Sequence, residues 1–352
     1  MAKRDHHDII VIGASMGGVE ALSHLVAQFP EDLPASICVV LHVAAEHRSL
    51  LPEILTRIGP LPARHPQDHE PLEHGQIYVA PNDHHLMLEV GHVRVVKGPL
   101  ENGHRPAVDP LFRSAARAYG PRVVGVILTG ALNCGTVGLL SVKAQGGIAV
   151  VQDPDEAACA DMPRSALEYV NVDHCVRLGR MGQLLTRLVS TPVRTARRRR
   201  PSKQLDHEVE LLLSNPAAGN KPPDAGSPSH FSCPDCGGIL FEVKQSGLLR
   251  YRCRVGHGYT NEALANGQEE MVDSALWAAV RALEESAALA QRMARSARER
   301  NHHQTARRYE ERARATGQQA LAVRRVATHG TTGSGASPPA SQQDEGSPET
   351  SN

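Results

Sequence analysis

The apolar positions of the first 190 residues alternate between two periods. Ile9-Ile10-Val11-Ile12 is an unbroken apolar run stopped by Gly13, the pattern of a short strand buried on both faces. Behind it, Val19, Leu22 and Val26 recur at helical spacing from Gly17 to about Phe29. Residues 37–41 repeat the strand pattern, and a helical stretch follows near 49–58. Further strands are predicted at 77–80, 86–88, 93–96, 123–128 and 148–151, with helices near 110–119 and 137–145. Strands alternating with helices imply an α/β fold, a doubly wound and mostly parallel sheet with helices on both faces. The two closely spaced strands after Tyr78 imply an antiparallel excursion.

The pattern changes after Val189. Residues 191–229 hold Arg197, Arg198, Arg199 and Arg200, then prolines, asparagines, glycines and serines, which is linker composition. A Cys-containing segment occupies 230–263, a charged, Ala-rich helical segment 264–327, and a tail of Gly, Ser, Pro, Gln and Glu, expected to be disordered, 328–352. The organisation read from this is a catalytic domain over 1–190, a linker, a small Cys/His module, a helical segment and a tail. Within the helical segment Met271, Leu276, Val280 and Leu283 share a face, and a break near Asn301-His302-His303 suggests a hairpin.

Composition removes several classes. The 352 residues carry no formal net charge and only 3% aromatics, so neither a basic surface nor stacking platforms point to specific nucleic-acid binding. The arginine run lacks an apolar face and reads as solvated linker. No stretch reaches the ~20 apolar residues of a membrane span, and no apolar leader precedes the first strand. Seven cysteines, only two pairs of which look like motifs, do not form a disulfide framework. The expected setting is cytoplasmic.

Gly13-Ala14-Ser15-Met16-Gly17-Gly18 lies between the first strand and the first helix. Gly-x-Ser-x-Gly in that place reads as a nucleophile elbow, in which small neighbours permit a sharp turn that exposes the Ser15 hydroxyl. Free N–H groups at the following helix start can stabilise an oxyanion. The rival reading is a dinucleotide-binding loop, but Ser15 stands where its second glycine belongs. The second strand ends in Leu41-His42 rather than in the acidic residue such a site uses. His42 after strand two and Ser15 after strand one share one edge of a parallel sheet, so His42 is the candidate general base. His47, His65, His69, His84 and His85 read as solvent-exposed bystanders. A carboxylate should orient the histidine, yet the candidate loop, residues 128–138, contains no Asp or Glu.

These segments resemble the chemotaxis protein-glutamate methylesterases. The similarity runs through Ile12-Gly13-Ala14-Ser15-Met16-Gly17-Gly18, Val39-Val40-Leu41-His42, residues 78–86, residues 105–112, and Val126-Ile127-Leu128-Thr129-Gly130 with Gly135 and Gly138. It implies hydrolysis of glutamyl methyl esters on methyl-accepting chemotaxis receptors with release of methanol, and deamidation of receptor glutamines as a second activity. Ser15 would be the nucleophile, His42 the base, and backbone N–H groups near Met16 and Ala131 the oxyanion donors, with no cofactor for catalysis. There are two departures. The family's catalytic aspartate falls at Cys134, and Asp109, Asp153 and Asp155 are the possible substitutes. Typical members also carry an N-terminal receiver domain, for which the first strand at about residue 8 leaves no room. Regulation is then expected from the C-terminal region or a separate signalling partner.

Cys233-Pro234-Asp235-Cys236 and Cys253-Arg254-Val255-Gly256-His257 flank two short apolar runs, as in a zinc ribbon. Three thiolates and one imidazole suit a closed, tetrahedral, structural zinc site. The alternative, a redox Cys-x-x-Cys pair, lacks a thioredoxin-like surrounding. Two further readings of the whole chain stand beside the methylesterase: a catalytically weak adaptor on the same fold, favoured by Cys134, and an esterase recruited to another substrate.

Overall fold

The computed structural model describes residues 6–42, 49–193, 200–213, 226–245 and 248–329. His47, three of the four linker arginines and the tail from residue 330 lie outside them. In chain order the elements are β1 (Ile9–Ala14), α1 (Gly18–Val26), β2 (Ser36–Leu41), α2 (Leu51–Ile58), β3 (Ala63–Arg64) and β4 (Ile77–Val79). Then come β5 (His85–Glu89), β6 (His92–Val96), α3 (Val108–Tyr119), β7 (Val123–Ile127), α4 (Thr136–Ala144), β8 (Ile148–Gln152), α5 (Asp161–Tyr169), β9 (His174–Val176) and α6 (Leu178–Val189). The C-terminal part adds α7 (Lys203–Leu213), β10 (Ser227–Ser232), β11 (Ile239–Gln245), β12 (Leu248–Cys253), β13 (Gly258–Thr260), α8 (Asn261–Glu299) and α9 (His303–His329).

Among the described residues, seven strands form one sheet in the order β3-β4-β2-β1-β7-β8-β9, with every neighbouring pair parallel. The antiparallel excursion, β5–β6, is a separate hairpin. Side chains on a strand alternate faces, so each apolar run fills two cores at once. Ile9 and Val11 of β1, Cys38 and Val40 of β2, and Ala149 and Val151 of β8 join the core formed with α3, α4 and α5. Ile10, Ile12, Ala14, Ile37, Val39 and Val150 join the core formed with α1, α2 and α6. Burying each large aliphatic side chain contributes about 1.5–3 kcal/mol, which is why these runs read as continuous rather than alternating.

The stretch expected as linker contains a helix. Leu205, Val209 and Leu212 of α7, at helical spacing, pack on Met87 of the β5–β6 hairpin. Four antiparallel strands follow in the order β10-β11-β12-β13, starting slightly before the expected module. The chain divides into two compact units, 1–267 and 268–352, so the module and the large sheet share one unit. In the second unit the part of α8 from residue 268 onward and α9 form a hairpin turning at Asn301, whose φ of 58° is tolerated by a short polar side chain. Buried Ala306, Ala313, Ala320 and Ala327 recur every seven residues along α9, as do Val280, Ala287 and Ala294 along α8. This is a narrow seam of small side chains. No helix among the described residues is long and apolar enough to cross a membrane.

A buried charge cluster holds the first unit together. Glu101, from the loop after β6, meets Arg113 of α3 at 2.5 and 2.8 Å and Arg250 of β12. Glu208 of α7 meets Arg250 at 3.0 Å and Arg113 at 3.3 Å, and Arg252 lies 3.5 Å from both carboxylates. All five side chains are buried. Burial alone would raise the Glu101 carboxyl, but the guanidiniums of Arg113, Arg250 and Arg252 outweigh it and hold it well below the usual range. Breaking such a pair strands a charge away from water, at about 3–5 kcal/mol. Arg113→Met is therefore expected to lower unfolding free energy by that amount in urea titration. Arg64→Met, which breaks the exposed pair with Glu70, should cost less than about 1 kcal/mol; equal effects would contradict the assignment.

Candidate active site and metal-ligand cluster

The winding of the sheet reverses at β1, with β2 on one side and β7 on the other. Reactive groups in open α/β sheets gather beyond the carboxyl ends of the strands at such a point. Ala14 is level with Leu41, so Ser15 and His42 are the next residues off two adjacent strands. The loops are tied to one another: the His42 amide donates to Ala14 O at 3.2 Å and the Ser15 amide to Thr129 O at 3.0 Å. Gly17 turns the chain into α1 with a φ of 73°, and a Cβ there would lie 2.6 Å from that of Ala158. On the far side, a Cβ at Gly130 would lie 2.8 Å from Ser15 Cβ, so only glycine lets the loop after β7 approach the serine this closely. Among the described residues the amides of Met16 and Ala131 donate to no acceptor.

Further polar contacts, none apparent in the sequence, brace this edge. Thr129 Oγ1 donates to Met16 O at 2.9 Å, and the Thr129 amide donates to Gln152 Oε1 at 2.9 Å. The His104 ring stacks on His42, with centroids 4.0 Å apart and planes 20° apart. Burial, reinforced by the neighbouring His104, holds the His42 imidazole well below its ordinary pKa. His42 Nε2 is shielded from solvent and has no hydrogen-bond partner among the described residues. The sequence signal for His104 was its place directly before the Arg105-Pro106 segment.

Cys134 is buried, and its Sγ accepts the Val108 amide at 3.4 Å. Burial, then the nearby Asp109 carboxyl, push the thiol upward, so it stays protonated at neutral pH. It makes no hydrogen bond to His42. The three possible substitutes are engaged elsewhere or exposed. Asp109 Oδ1 accepts the Gly138 amide at 2.6 Å and Oδ2 accepts Asn102 Nδ2 at 3.2 Å. Asp153 accepts the Asp155 amide at 3.1 Å and lies 3.6 Å from Arg177, while Asp155 is exposed. His85 departs from the reading as an exposed bystander. It is buried, with Nε2 2.9 Å from Pro99 O and Nδ1 accepting the Ala107 amide at 3.2 Å.

The four predicted metal ligands converge, with their ligand atoms all within 4.8 Å of one another. A tetrahedral zinc ion with ordinary bond lengths would set sulfurs about 3.8 Å apart and sulfur to nitrogen about 3.5 Å apart. Cys236 Sγ lies 3.7 Å from Cys253 Sγ, and His257 Nδ1 lies 3.5 Å from Cys233 Sγ and 3.6 Å from Cys253 Sγ. The donor set therefore fits one ion. His69, Glu89 and His92 also gather, but Arg94 Nη1 sits 2.9 Å from the Glu89 carboxylate and opposes a cation there.

The fold is a doubly wound α/β sheet that carries Ser15 and His42 just beyond the carboxyl ends of adjacent strands at its switch point. Residues 10–185, half of the chain, match the CheB methylesterase family model, and the chain belongs to that family of hydrolases. It is 38% identical over 181 residues to an Anaeromyxobacter dehalogenans protein-glutamate methylesterase/protein-glutamine glutaminase, covering 51% of this chain and 53% of that one. A Caulobacter vibrioides relative of the same description is 39% identical over 188 residues, covering 52% and 54%. The chain thus spans about half the length of these two relatives. The crystal structure of the Thermotoga maritima CheB methylesterase catalytic domain matches with a TM-score of 0.51 and 32% identity, covering 52% of this chain and 98% of that one.

Because both influences on His42 lower its pKa, it should remain neutral at pH 6.5, where a free histidine is half protonated, and take up its proton only in more acid solution. Imidazole NMR titration checks this. A midpoint at or above 6.5 would contradict the desolvation of the ring.

Proposed function

We propose that residues 1–190 hydrolyse methyl esters of glutamyl side chains on methyl-accepting chemotaxis receptors and, by the same chemistry, deamidate receptor glutamines, in the cytoplasm. The observation that supports this reading is the β1–β2 register, in which Ser15 and His42 are the next residues off adjacent strands, together with the lowered pKa of the His42 imidazole. Ser15 Oγ attacks the ester carbonyl carbon while His42 accepts the hydroxyl proton. The Met16 and Ala131 amides take the oxyanion. Collapse breaks the carbon–methoxy bond, and the His42 proton leaves with methoxide as methanol. Water, deprotonated in turn by His42, then attacks the acyl-serine and restores the glutamate carboxylate and the Ser15 hydroxyl.

The thiol of Cys134 cannot serve as the orienting carboxylate. Replacing that acid by an amide in a related triad lowers turnover about 10⁴-fold while leaving catalysis above background, so a slow enzyme is expected. The same observation favours a second reading, a catalytically weak adaptor. Methanol release from methylated receptor decides. We expect slow release that disappears in Ser15→Ala and rises at least about tenfold in Cys134→Asp. No release from wild type or from Cys134→Asp would overturn the enzyme reading and leave the adaptor.

Cys233, Cys236, Cys253 and His257 would hold one structural zinc ion, with all four positions filled by protein and none left for substrate. Elemental analysis should find one zinc per chain and markedly less in Cys236→Ser. A metal content unchanged by that substitution would contradict the assignment.

A further inference from the structure

The Cys/His module does not stand apart from the hydrolytic edge. β13 touches both of the loops that flank it. The first is the loop between β6 and α3, which carries His104. Glu101 and His104 close a turn by exchanging backbone hydrogen bonds at 3.1 and 3.0 Å, and this turn presents the His104 ring to His42. β13 runs beside it and joins it at one isolated parallel bridge, Glu101 with Gly258. Gly258 N donates to Leu100 O at 3.2 Å, Asn102 N donates to Gly258 O at 2.7 Å, and Thr260 N donates to Asn102 Oδ1 at 3.0 Å.

The second is the loop after β7, which packs against Ser15 through Gly130 and carries Cys134. Thr260 Oγ1 donates to Asn133 Oδ1 at 2.9 Å, and Asn133 Nδ2 donates to Glu262 Oε2 at 2.5 Å. Asn102, Asn133 and Thr260 are all buried. One residue, Thr260, therefore binds both loops, through its amide on one side and its hydroxyl on the other. The Arg250–Glu101–Arg113–Glu208 cluster bolts the same module down from behind.

We propose that the C-terminal module is a working part of the hydrolytic site, with Thr260 as the positioning residue that sets the His104 and Asn133 loops against His42 and Ser15. The candidate metal ligands sit at the root of this device. Cys253 ends β12 and His257 immediately precedes β13, and the turn between them is closed by Cys253 N to His257 O at 3.1 Å. Zinc bound there fixes the hairpin that delivers Gly258 and Thr260, so metal content sets catalytic geometry without any metal chemistry on the ester. The proposal rests on the esterase reading for its consequence in rate, but its structural half can be measured without turnover.

The test uses the full chain and two readouts. In hydrogen exchange, Thr260→Val is expected to raise exchange at residues 99–105 and 131–136 while leaving 9–14 and 36–41 protected. Wild type stripped of zinc by a chelator should do the same. For methanol release, Thr260→Val should lower kcat roughly tenfold to a hundredfold with KM little changed, as misplaced catalytic groups do. Thr260→Ser, which keeps the hydroxyl, should restore it. Exchange at both loops unchanged in Thr260→Val overturns the proposal whether or not the protein is an esterase. Loosened loops with kcat unchanged in an active enzyme overturn its catalytic half. An inactive wild type whose loops loosen as expected overturns the esterase reading and not the coupling.

Discussion

Ala14 lies level with Leu41 on one side, and Gly13 with Ile127 on the other. Those two parallel registers decide where the candidate site lies. A slip of one residue would turn every β1 side chain to the opposite face, exchanging Ile9 and Val11 with Ile10 and Ile12 between two filled cores. The apolar packing on both faces therefore pins the register, and the register places Ser15, His42 and the Thr129–Gly130 loop at one edge. Ser15 and His42 stand at the ends of strands that have no freedom to slide.

A second constraint acts from outside the sheet. Glu101, Arg113, Glu208, Arg250 and Arg252 come from four parts of the chain more than a hundred residues apart at their extremes, and all are buried together. An apolar interface would tolerate several dockings. Interlocking carboxylates and guanidiniums pair across these parts of the chain, and the penalty for stranding a buried charge opposes undocking. The C-terminal module is thereby held in a defined orientation against the loops beside the elbow.

The sequence carries the central strands of the large sheet plainly because β1, β2, β4, β7 and β8 are short apolar runs buried on both faces. Strand ends and parallel order suffice to place Ser15 and His42 at one edge of that sheet. The sequence is less informative where local pattern is weak. β3 has two residues, and β9 is only partly buried, so neither shows a run of apolar positions. α7 was hidden by the prolines and arginines around it, although Leu205, Val209 and Leu212 fall on one face. The charge cluster escaped for a related reason. Charged side chains are expected in water, and Glu208 standing on the apolar face of α7 was the available signal. The partners of that glutamate lie in other elements, which no local pattern identifies. His104 reaches the site by a tight turn rather than from a strand end, so strand-end reasoning passed over it.

The central claim is that Ser15 is a nucleophile made reactive by His42, a half-buried imidazole whose pKa is lowered. Covalent labelling of the full chain with a fluorophosphonate, followed by peptide mass spectrometry, tests it directly, because such a probe needs an activated serine but no particular ester substrate. The account predicts a single adduct on the peptide containing Ser15, formed slowly and lost in His42→Ala. An unmodified Ser15, or an adduct that forms equally well in His42→Ala, would contradict it.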